Sequence, residues 1–595
     1  IVRGAELDVP WLSPDDIDLW LSPYSPHREI LAQRIRELIG AGADGVWLDV
    51  PHMPSYLTED MQDLWPDASE WGVKRFREEY GVDPPSSPDD NEFWAWLKWR
   101  HEATVDFVLE MADVAYEAGG VLMVESSACD HGGTELAYDP TLLRDNPLVV
   151  QVPEIGPVSW ERGLLGASFE EWAHFYAMLK HARASNPEGL VIPLTYGGSE
   201  VDSSKQLGLI VSIADGYFET NSGNGLMVGT VGIEYRRKAF RFVSMLSGLG
   251  RQRASVGVLF SRTTRDLVDM YVAGPYDVQD TTHMRAFREV VKLLAEKHIQ
   301  FDVLPIEEVS PDELANYEVL IAPEVRCLSQ EARRMLSSYR GQLLVLRELG
   351  SLDDMGNPTG ELTVGKRINL GELPNYLPDP LVDRAKGLII EEFGSGGCRV
   401  LAFVNITAGR GSIRVPNGWM MRFDDMAVIP VSNEVEVPFN FLLLFMGDDG
   451  GKSELRKAVI KVPSPIDRRW NFDVISRFNG TATAFIRVGG PQVDPEGWKG
   501  MSFAFVRENG VYRELKLGNA TYRAIYGSED YAIIWRVKCG SVAFFRVAGI
   551  TRFGTRAGLM WLLSKGVEGE LTLIRWVDDG DGVVELDEIS SIPWG

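Results

Sequence analysis

Residues 1–250 alternate short apolar strands with amphipathic helices, and this alternation restricts the segment to parallel α/β architecture. A helix predicted at 26–40 leads into the strand GVWLD at 45–49, and a long helix at 91–118 precedes VLMVE at 121–125. Three more strands follow: LVVQVPE at 148–154, LVIPLTY at 190–196 and GYFET at 216–220. The sequence therefore predicts consecutive parallel strands joined by helices, as in a (β/α)8-type barrel.

A closed barrel of this type needs eight strands, and residues 1–25 contain no convincing strand–helix pair. We expect the first three barrel strands to lie upstream of Ile1, in a second chain produced by cleavage or in a segment removed before it. Because open barrel edges would expose long apolar strands, a partner that supplies them is expected.

Residues 251–350 predict a second α/β unit with a flavodoxin-like order of elements. Its first strand, SVGVLF at 255–260, is not followed by a Gly-rich phosphate loop. Helices almost vanish after residue 350, and alternating strands there predict two β-sandwich domains, at 351–463 and 464–595. The boundary between these two domains is placed at the Pro-rich stretch KVPSPIDRRW.

Composition narrows the class of partner. The formal net charge is −27, and nucleic acid is therefore not expected, because phosphate binding needs clustered Lys and Arg. No apolar run approaches the roughly 18 residues of a membrane span, and the cysteines lack C-x-x-C spacing. The acidic charge and the sequons at Asn405, Asn479 and Asn519 favour an extracellular or cell-surface protein.

Acidic or polar residues stand where the five predicted strands end. They are Asp49, Glu125, Glu154, Tyr196 and Glu219. Active sites of (β/α)8 barrels are built at these C-terminal strand ends. The sequence therefore predicts an active site that contains paired carboxyl groups.

The stretch GADGVWLDVPHM resembles the fourth-strand region of α-amylase-like and related barrel glycoside hydrolases, and KRFREEYG at 74–81 resembles a helix that follows a substrate loop in many of them. The second unit, with ANYEVLIAPEVRCLSQEARRMLSSYRGQLLVL at 315–346, resembles the trimerisation domain of thermophilic-type β-galactosidases. The resemblance covers about residues 20–460. It implies a glycoside hydrolase that acts on a carbohydrate and forms a homo-oligomer.

The chain departs from both families at the strand end. In those β-galactosidases an Asn-Glu pair ends strand four and a nucleophilic Glu stands on strand seven, whereas here Leu48 precedes Asp49. The α-amylase-like arrangement has an Arg two residues before the Asp, where this chain has Trp47. The resemblance therefore does not carry over a sugar, a linkage or a stereochemical outcome.

Glycoside hydrolysis needs one carboxyl group that protonates the leaving oxygen and another that attacks or activates water. We predict Asp49 as the nucleophile, Glu125 as the general acid/base, and Glu154 as the alternative acid or a ligand of a sugar hydroxyl. Glu219 would be the nucleophile under the strand numbering of the β-galactosidases. The structural alternatives are a loop-capping role for Asp49 and salt bridges from the glutamates to Arg.

Other side chains near the strand ends are candidates for contact with substrate, although most such histidines and tryptophans are loop or core residues. The predicted substrate-binding residues are Trp47, His52, His131, Tyr196 and Glu219, with Trp65 and Trp160 as further stacking candidates. No third ligand accompanies the two histidines at a metal-like spacing, so no catalytic metal is predicted.

The tail WVDDGDGVVELDE at 576–588 is similar to a calcium loop. Asp579, Asp581 and Glu588 match ligand positions of an EF-hand-type loop, but Val577 stands at the first position and cannot coordinate. A surface hairpin with an acidic turn is favoured over a structural calcium ion, and no other cofactor is expected.

The leading hypothesis is a retaining glycoside hydrolase that acts on an extracellular or surface glycan. The second is a catalytically inactive, glycosidase-like protein of the cell surface or of filaments, since a fold does not fix a function. An array of carbohydrate-binding modules is a third. A separation of about 5–5.5 Å between the Asp49 and Glu125 carboxyl groups would support retention, and about 6.5–9.5 Å inversion.

Overall fold

The architecture comes from a computed structural model of the chain. It describes residues 22–49, 51, 53, 56–57, 63–64, 69–86, 90–126, 137–144, 146, 148–155, 168–196, 208–220, 243, 246, 251–269, 282–382, 387–394, 399–406, 411–422, 428–437, 442–446, 458–461, 484–488, 503–508, 511–539, 542–567, 569–581 and 583–593. They belong to two compact units. Those of unit 1 fall within 1–202, 213–228 and 253–380, and those of unit 2 within 203–212, 229–252 and 381–595.

Unit 1 begins with alternating helices and strands, as the sequence predicts. In chain order they are α1 (His27–Gly40), β1 (Gly45–Leu48), the two-residue strands β2 (Tyr56–Leu57) and β3 (Asp63–Leu64), α2 (Glu70–Tyr80), α3 (Phe93–Glu117), β4 (Val121–Ser126), β5 (Val149–Pro153), α4 (Phe169–Ala184), β6 (Leu194–Tyr196) and β7 (Phe218–Thr220).

The five strands predicted from the sequence are parallel and adjacent in chain order. β1, β4 and β5 form one parallel sheet, a parallel bridge joins Glu154 to Leu194 at the start of β6, and β6 pairs with β7. This confirms a run of consecutive parallel strands, with α2 and α3 between β1 and β4 and α4 between β5 and β6. Closure into an eight-stranded barrel stays a prediction, and so does a second chain that would complete it.

One face of the first sheet is covered by helices. Leu48, Leu122, Val124 and Val149 pack with apolar residues of α1 and α3 in one buried cluster. Because successive side chains of a strand point to opposite faces, the intervening residues of β1, β4 and β5 lie on the other face. That face is the one on which the predicted carboxyl groups stand.

The second part of unit 1 is also α/β. Its elements are β8 (Val256–Phe260), α5 (Thr282–Glu296), β9 (Phe301–Pro305), α6 (Pro311–Leu314), β10 (Val319–Ala322), β11 (Val325–Cys327), α7 (Gln330–Ser338), β12 (Gln342–Val345), β13 (Leu349–Leu352) and β14 (Lys366–Arg367).

The main sheet of this part has the strand order β14-β12-β10-β8-β9, with all pairs parallel. Numbered from β8, this is the order 2-1-3-4-5 of flavodoxin-like folds, as the sequence predicts. The fifth strand, β14, lies beyond residue 350, where we placed the boundary, and unit 1 continues to Pro380. The segment after residue 350 has few apolar residues, so its short edge strand gives little sequence signal.

A buried charged network joins the two parts of unit 1. Arg265, which follows β8, pairs with Asp139 (Nη2–Oδ2, 2.8 Å) and with Asp266 (Nε–Oδ1, 2.8 Å). The Nε2 atom of His101 on α3 lies 3.1 Å from Asp266 Oδ2. All four side chains are buried. We call these residues the Arg265 network.

Unit 2 is built mainly from antiparallel strands. They are β15 (Leu388–Phe393), β16 (Arg399–Asn405), β17 (Gly411–Arg422), β18 (Val428–Val437), β19 (Leu442–Met446), β20 (Ala458–Lys461), β21 (Ala484–Val488), β22 (Phe503–Glu508), β23 (Val511–Leu517), β24 (Ala520–Arg523), β25 (Glu529–Cys539), β26 (Val542–Gly549), β27 (Leu571–Val577) and β28 (Ile589–Ile592), with helix α8 (Arg552–Lys565). They form sheets of five, six and three strands, which agrees with the predicted β-rich content.

Two features of unit 2 differ from the sequence prediction. β20 precedes the boundary placed at residue 463, yet it pairs with β21 after it, so one sheet contains strands from both sides of that boundary. The 14-residue helix α8 packs its buried residues Phe553, Ala557, Leu559 and Leu562 into the core of the six-stranded sheet. Its sequence AGLMWLL is a short apolar run, and such a run does not distinguish a helix from a strand.

Among the described residues, no helix combines the length and the apolar character that a membrane crossing requires.

Candidate functional site

Asp49 lies directly after β1, at the C-terminal end of the parallel sheet. Leu48 lies beside Val124 of β4, and the exposed residue Asp49 follows it directly. Gly45 starts the strand where β1 and β4 approach closely: a Cβ atom there would lie 2.5 Å from the backbone oxygen of Val121. The close spacing of the two strands therefore requires glycine at position 45, the second glycine of the GADGVWLD motif.

β4 carries Glu125 into a much less exposed position. Its side chain is 5% exposed, and its backbone pairs with Val152 of β5. Since partners in a parallel register lie side by side on one face, Asp49, Glu125 and Val152 share the face opposite the helices.

Glu154 stands one residue beyond β5, two positions after Val152, and so returns to the same face. Its backbone N–H donates to the Ser126 carbonyl at 2.7 Å, and it forms the bridge to Leu194. The side chain is half-buried. Three neighbouring strands thus each contribute one acid to the same edge of the sheet.

The three carboxyl groups meet around Glu125, whose side chain lies within hydrogen-bonding reach of both Asp49 and Glu154. Burial, the hydrogen bond to Asp49 and the negative charge of Glu154 together raise the pKa of Glu125 to about 10. Glu125 therefore holds a proton at neutral pH. We call Asp49, Glu125 and Glu154 the carboxyl cluster.

A protonated carboxyl group between two other acids can donate a hydrogen bond or transfer its proton. General acids in glycosidases need such a raised pKa. The direct Asp49–Glu125 hydrogen bond also means that these two groups lie closer together than the separation of about 5–5.5 Å that characterises retaining enzymes.

The other predicted site residues are placed less completely. Trp47 lies on β1 on the same face as Asp49 and is 37% exposed. Tyr196 ends β6, and Glu219 lies in β7 beside Thr195, while their side chains are outside what the structure describes. His52, Trp65, His131 and Trp160 also lie outside the described residues.

The sequence analysis missed that Glu125 sits between the other two acids. The signal was present, because GVWLD, VLMVE and LVVQVPE can be aligned so that all three acids have the same parity on adjacent parallel strands. It also missed the Arg265 network, whose members are widely separated in sequence and show no local motif.

The acidic tail forms a turn between β27 and β28, which pair antiparallel. Ligand atoms of Asp578, Asp579, Asp581 and Glu588 lie within 4.8 Å of one another. Glu588 accepts hydrogen bonds from Trp576 Nε1 (2.8 Å) and from the backbone N–H of Asp579 (2.7 Å). The acidic hairpin turn is present and brings the candidate ligands together, and calcium binding there stays the less favoured alternative.

Comparison with known proteins gives a fold but no family. No family model matches the sequence, and no curated protein does either.

Solved structures of GH42 β-galactosidases are similar in fold. A catalytic mutant of the enzyme from G. stearothermophilus has a TM-score of 0.55 at 10% identity, covering 71% of this chain and 82% of that one. The cold-adapted enzyme from Rahnella sp. R3 has a TM-score of 0.53 at 12% identity, covering 71% and 82%. The enzyme from Bacillus circulans sp. alkalophilus has a TM-score of 0.51 at 12% identity, covering 72% and 84%. The chain therefore has a fold similar to that of GH42 β-galactosidases.

Proposed function

We propose that the chain is a glycoside hydrolase whose reaction takes place at the carboxyl cluster. The observation that carries this proposal is the convergence of three acids at the C-terminal ends of adjacent parallel strands, with one of them protonated at neutral pH. Barrel enzymes place their chemistry at this edge, and glycosidic bond cleavage needs one protonated and one ionised carboxyl group. The GH42-like fold supports the same class of reaction.

In this proposal Glu125 is the general acid that protonates the leaving oxygen, since burial and acidic neighbours keep its proton in place. Asp49 is the nucleophile, because its exposed position at the strand end leaves it accessible to a sugar ring. Glu154, half-buried on the far side of Glu125, is the alternative acid or a ligand for a sugar hydroxyl.

The Asp49–Glu125 hydrogen bond sets a condition on this mechanism. A sugar that reacts between these two groups has to replace that bond, because retaining glycosidases hold the two carboxyl groups about 5–5.5 Å apart. Substrate binding would then separate Asp49 from Glu125 and leave the proton of Glu125 directed at the glycosidic oxygen.

A screen of aryl glycosides tests the proposal. We expect wild-type protein to hydrolyse at least one of them, Asp49→Asn to abolish the release of phenol, and Glu125→Gln to slow it by about 10² to 10⁴-fold. Asp379→Asn, which changes an exposed acid elsewhere in unit 1, serves as the matched control and should keep full activity. Unchanged hydrolysis by Asp49→Asn would eliminate the nucleophile assignment.

One observation favours a second candidate, an inactive glycosidase-like protein. The proton of Glu125 already has an acidic neighbour as its partner, so it needs no sugar to be hydrogen-bonded. In that case the wild type binds oligosaccharides in calorimetry but hydrolyses none of the aryl glycosides, and the carboxyl-cluster variants alter binding alone.

We further propose an extracellular or cell-surface location and a homo-oligomeric state. The acidic net charge and the three sequons support the location. The resemblance of the flavodoxin-like part to a trimerisation domain supports the oligomer. Light scattering coupled to gel filtration distinguishes a monomer of 66.3 kDa from its multiples.

A further inference from the structure

A cavity of about 280 Å³ lies at the edge of the flavodoxin-like sheet in unit 1. Its lining includes residues that follow β8, β9 and β10, together with Trp94 and His101 of α3. β8 and β10 are neighbours whose connections leave in opposite directions, because β9 lies outside β8 and β12 outside β10. This is the switch point at which open parallel sheets bind ligands.

The usual ligand of such a switch point is a phosphate, held by backbone N–H groups of the first turn. Here that turn is already occupied by Glu307, which comes from the turn after β9. Its carboxylate accepts from Ser261 Oγ (2.9 Å) and from the backbone N–H groups of Arg262 (3.3 Å) and Thr263 (2.9 Å). An internal carboxylate thus takes the place of an anion, so this turn is not free to hold a phosphate group.

The charges around the cavity also disfavour an anion. Five lining residues are acidic: Glu102, Asp266, Glu307, Glu308 and Asp354. The basic lining residues other than histidine are Lys98 and Arg262, and Arg262 already bonds to Glu308 at 3.0 Å. Burial and the neighbouring Glu307 raise the pKa of Glu308, although Arg262 opposes them. A ligand that brings positive charge would relieve this repulsion.

His101 is a buried lining residue that belongs to the Arg265 network. Its Nε2 atom lies 3.1 Å from the Asp266 carboxylate. Among the described residues no group hydrogen-bonds to its Nδ1 atom, which is itself buried. His101 therefore holds Asp266 at the wall of the cavity, and the lining carboxyl groups are the polar groups that an occupant would meet.

The remaining walls are apolar and aromatic. Trp94, Leu97, Leu267, Ile306 and Leu328 line the cavity, and Trp94 and Leu97 pack with Leu267 in one apolar cluster. Small-molecule sites combine such walls with a few convergent polar groups. A volume just below the ~300 Å³ at which such pockets begin restricts the occupant to a small molecule.

We propose that this cavity is a binding site for a small organic cation, an ammonium group carried on an apolar body. The ammonium donates to the carboxyl groups that line the cavity, and the apolar body contacts the walls formed by Trp94 and the leucines. The site is separate from the carboxyl cluster and does not depend on the glycosidase proposal.

Calorimetric titration of the full chain with three matched probes tests the charge preference. Phenethylamine, 2-phenylethanol and phenylacetate share a ring and differ in carrying a cation, a neutral group or an anion. We expect saturable binding of phenethylamine, binding of 2-phenylethanol about tenfold weaker, and no binding of phenylacetate. Equal binding of the amine and the alcohol, or absence of amine binding, would overturn the proposal.

Two variants test whether the amine binds in this cavity. Thr263→Phe, at a half-buried lining residue, fills the space and should abolish amine binding. Asp354→Asn, at an exposed lining residue, should weaken it about threefold and carries little risk of misfolding. Asp379→Asn and Asp49→Asn, both outside the cavity lining, should leave the affinity unchanged. Unaltered affinity in both Thr263→Phe and Asp354→Asn would show that the amine binds elsewhere and refute the site.

Discussion

The carboxyl cluster and the Arg265 network both gather acidic side chains in unit 1, and they stabilise their charges in opposite ways. In the cluster, burial and the two neighbouring acids together raise the pKa of Glu125. In the network, burial alone would raise the pKa of Asp139 and Asp266, but the Arg265 guanidinium between them holds both well below their usual range.

The difference in pKa distinguishes the carboxyl cluster, which is suited to proton transfer, from the Arg265 network, which is an ion-paired structural element. A buried acid that shares an Arg is ionised and already paired, so it has no proton to transfer to a substrate. A buried acid among acids keeps a proton that can be transferred. Perturbed pKa values that come from like charges are therefore the better indication of function.

The largest expected effect is on the free energy of unfolding and comes from removing the positive charge of Arg265. Arg265→Met leaves Asp139 and Asp266 buried without their main partner, and we expect a loss of about 3–5 kcal/mol in the free energy of unfolding. Urea denaturation followed by tryptophan fluorescence measures it. Arg340→Met, at an exposed residue of unit 1, is the control and should change stability little. An equal effect of the two variants would show that the network does not stabilise unit 1.

The next effect concerns the alkaline pH dependence of stability. The pKa of Glu125 is raised from 4.5 to about 10 in the folded protein, so its contribution is complete below about pH 4.5 and is lost as the pH rises toward 10. In this window the free energy of unfolding falls as the pH rises, because the folded protein keeps a proton that the unfolded chain has lost. Glu125→Gln cannot ionise and should remove this slope.

Thermal melting from pH 2 to 9 checks the prediction for Glu125. Asp139 and Asp266 have lowered pKa values, so their contribution is present above about pH 4 and is lost only in acid. The acid limb of the profile should therefore persist in Glu125→Gln. A variant that keeps the alkaline slope of the wild type would show that Glu125 is not the group that titrates.

The smallest effect comes from removing one neighbour of Glu125. Asp49→Asn withdraws one hydrogen-bonding acid but leaves the burial that is the main cause of the raised pKa. We expect the alkaline slope to persist and its upper end to move to lower pH, as measured by melting from pH 5 to 10. Complete loss of the slope would mean that Asp49, and not burial, controls the proton.

Much of the first part of unit 1 could be predicted because its information is local. Each strand ends in an acid, and a parallel sheet brings strand ends together, so Asp49, Glu125 and Glu154 were predicted from their own segments. The proton on Glu125 was not predicted, because it depends on burial and on which strands are neighbours.

Features that depend on long-range packing left no sequence signal. His101 and Asp266 come from a helix of the first part and from the turn after β8, and neither segment has a motif that indicates the pairing. In the sequence Glu307 looks like an ordinary acidic turn residue, but in the structure its carboxylate accepts hydrogen bonds from the backbone N–H groups of Arg262 and Thr263. Helix α8 was missed because its apolar run has no clear period.

The close approach of β1 and β4 at Gly45 makes the carboxyl cluster sensitive to a position that never touches it. A methyl group there would collide with the Val121 backbone, and because β1 is only four residues long, the strand has little length over which to absorb the shift before Asp49. A shift of β1 at Gly45 would therefore also move Asp49 and disturb its hydrogen bond to Glu125. The geometry of the carboxyl cluster therefore depends on Gly45 at the start of β1 as well as on the three acids.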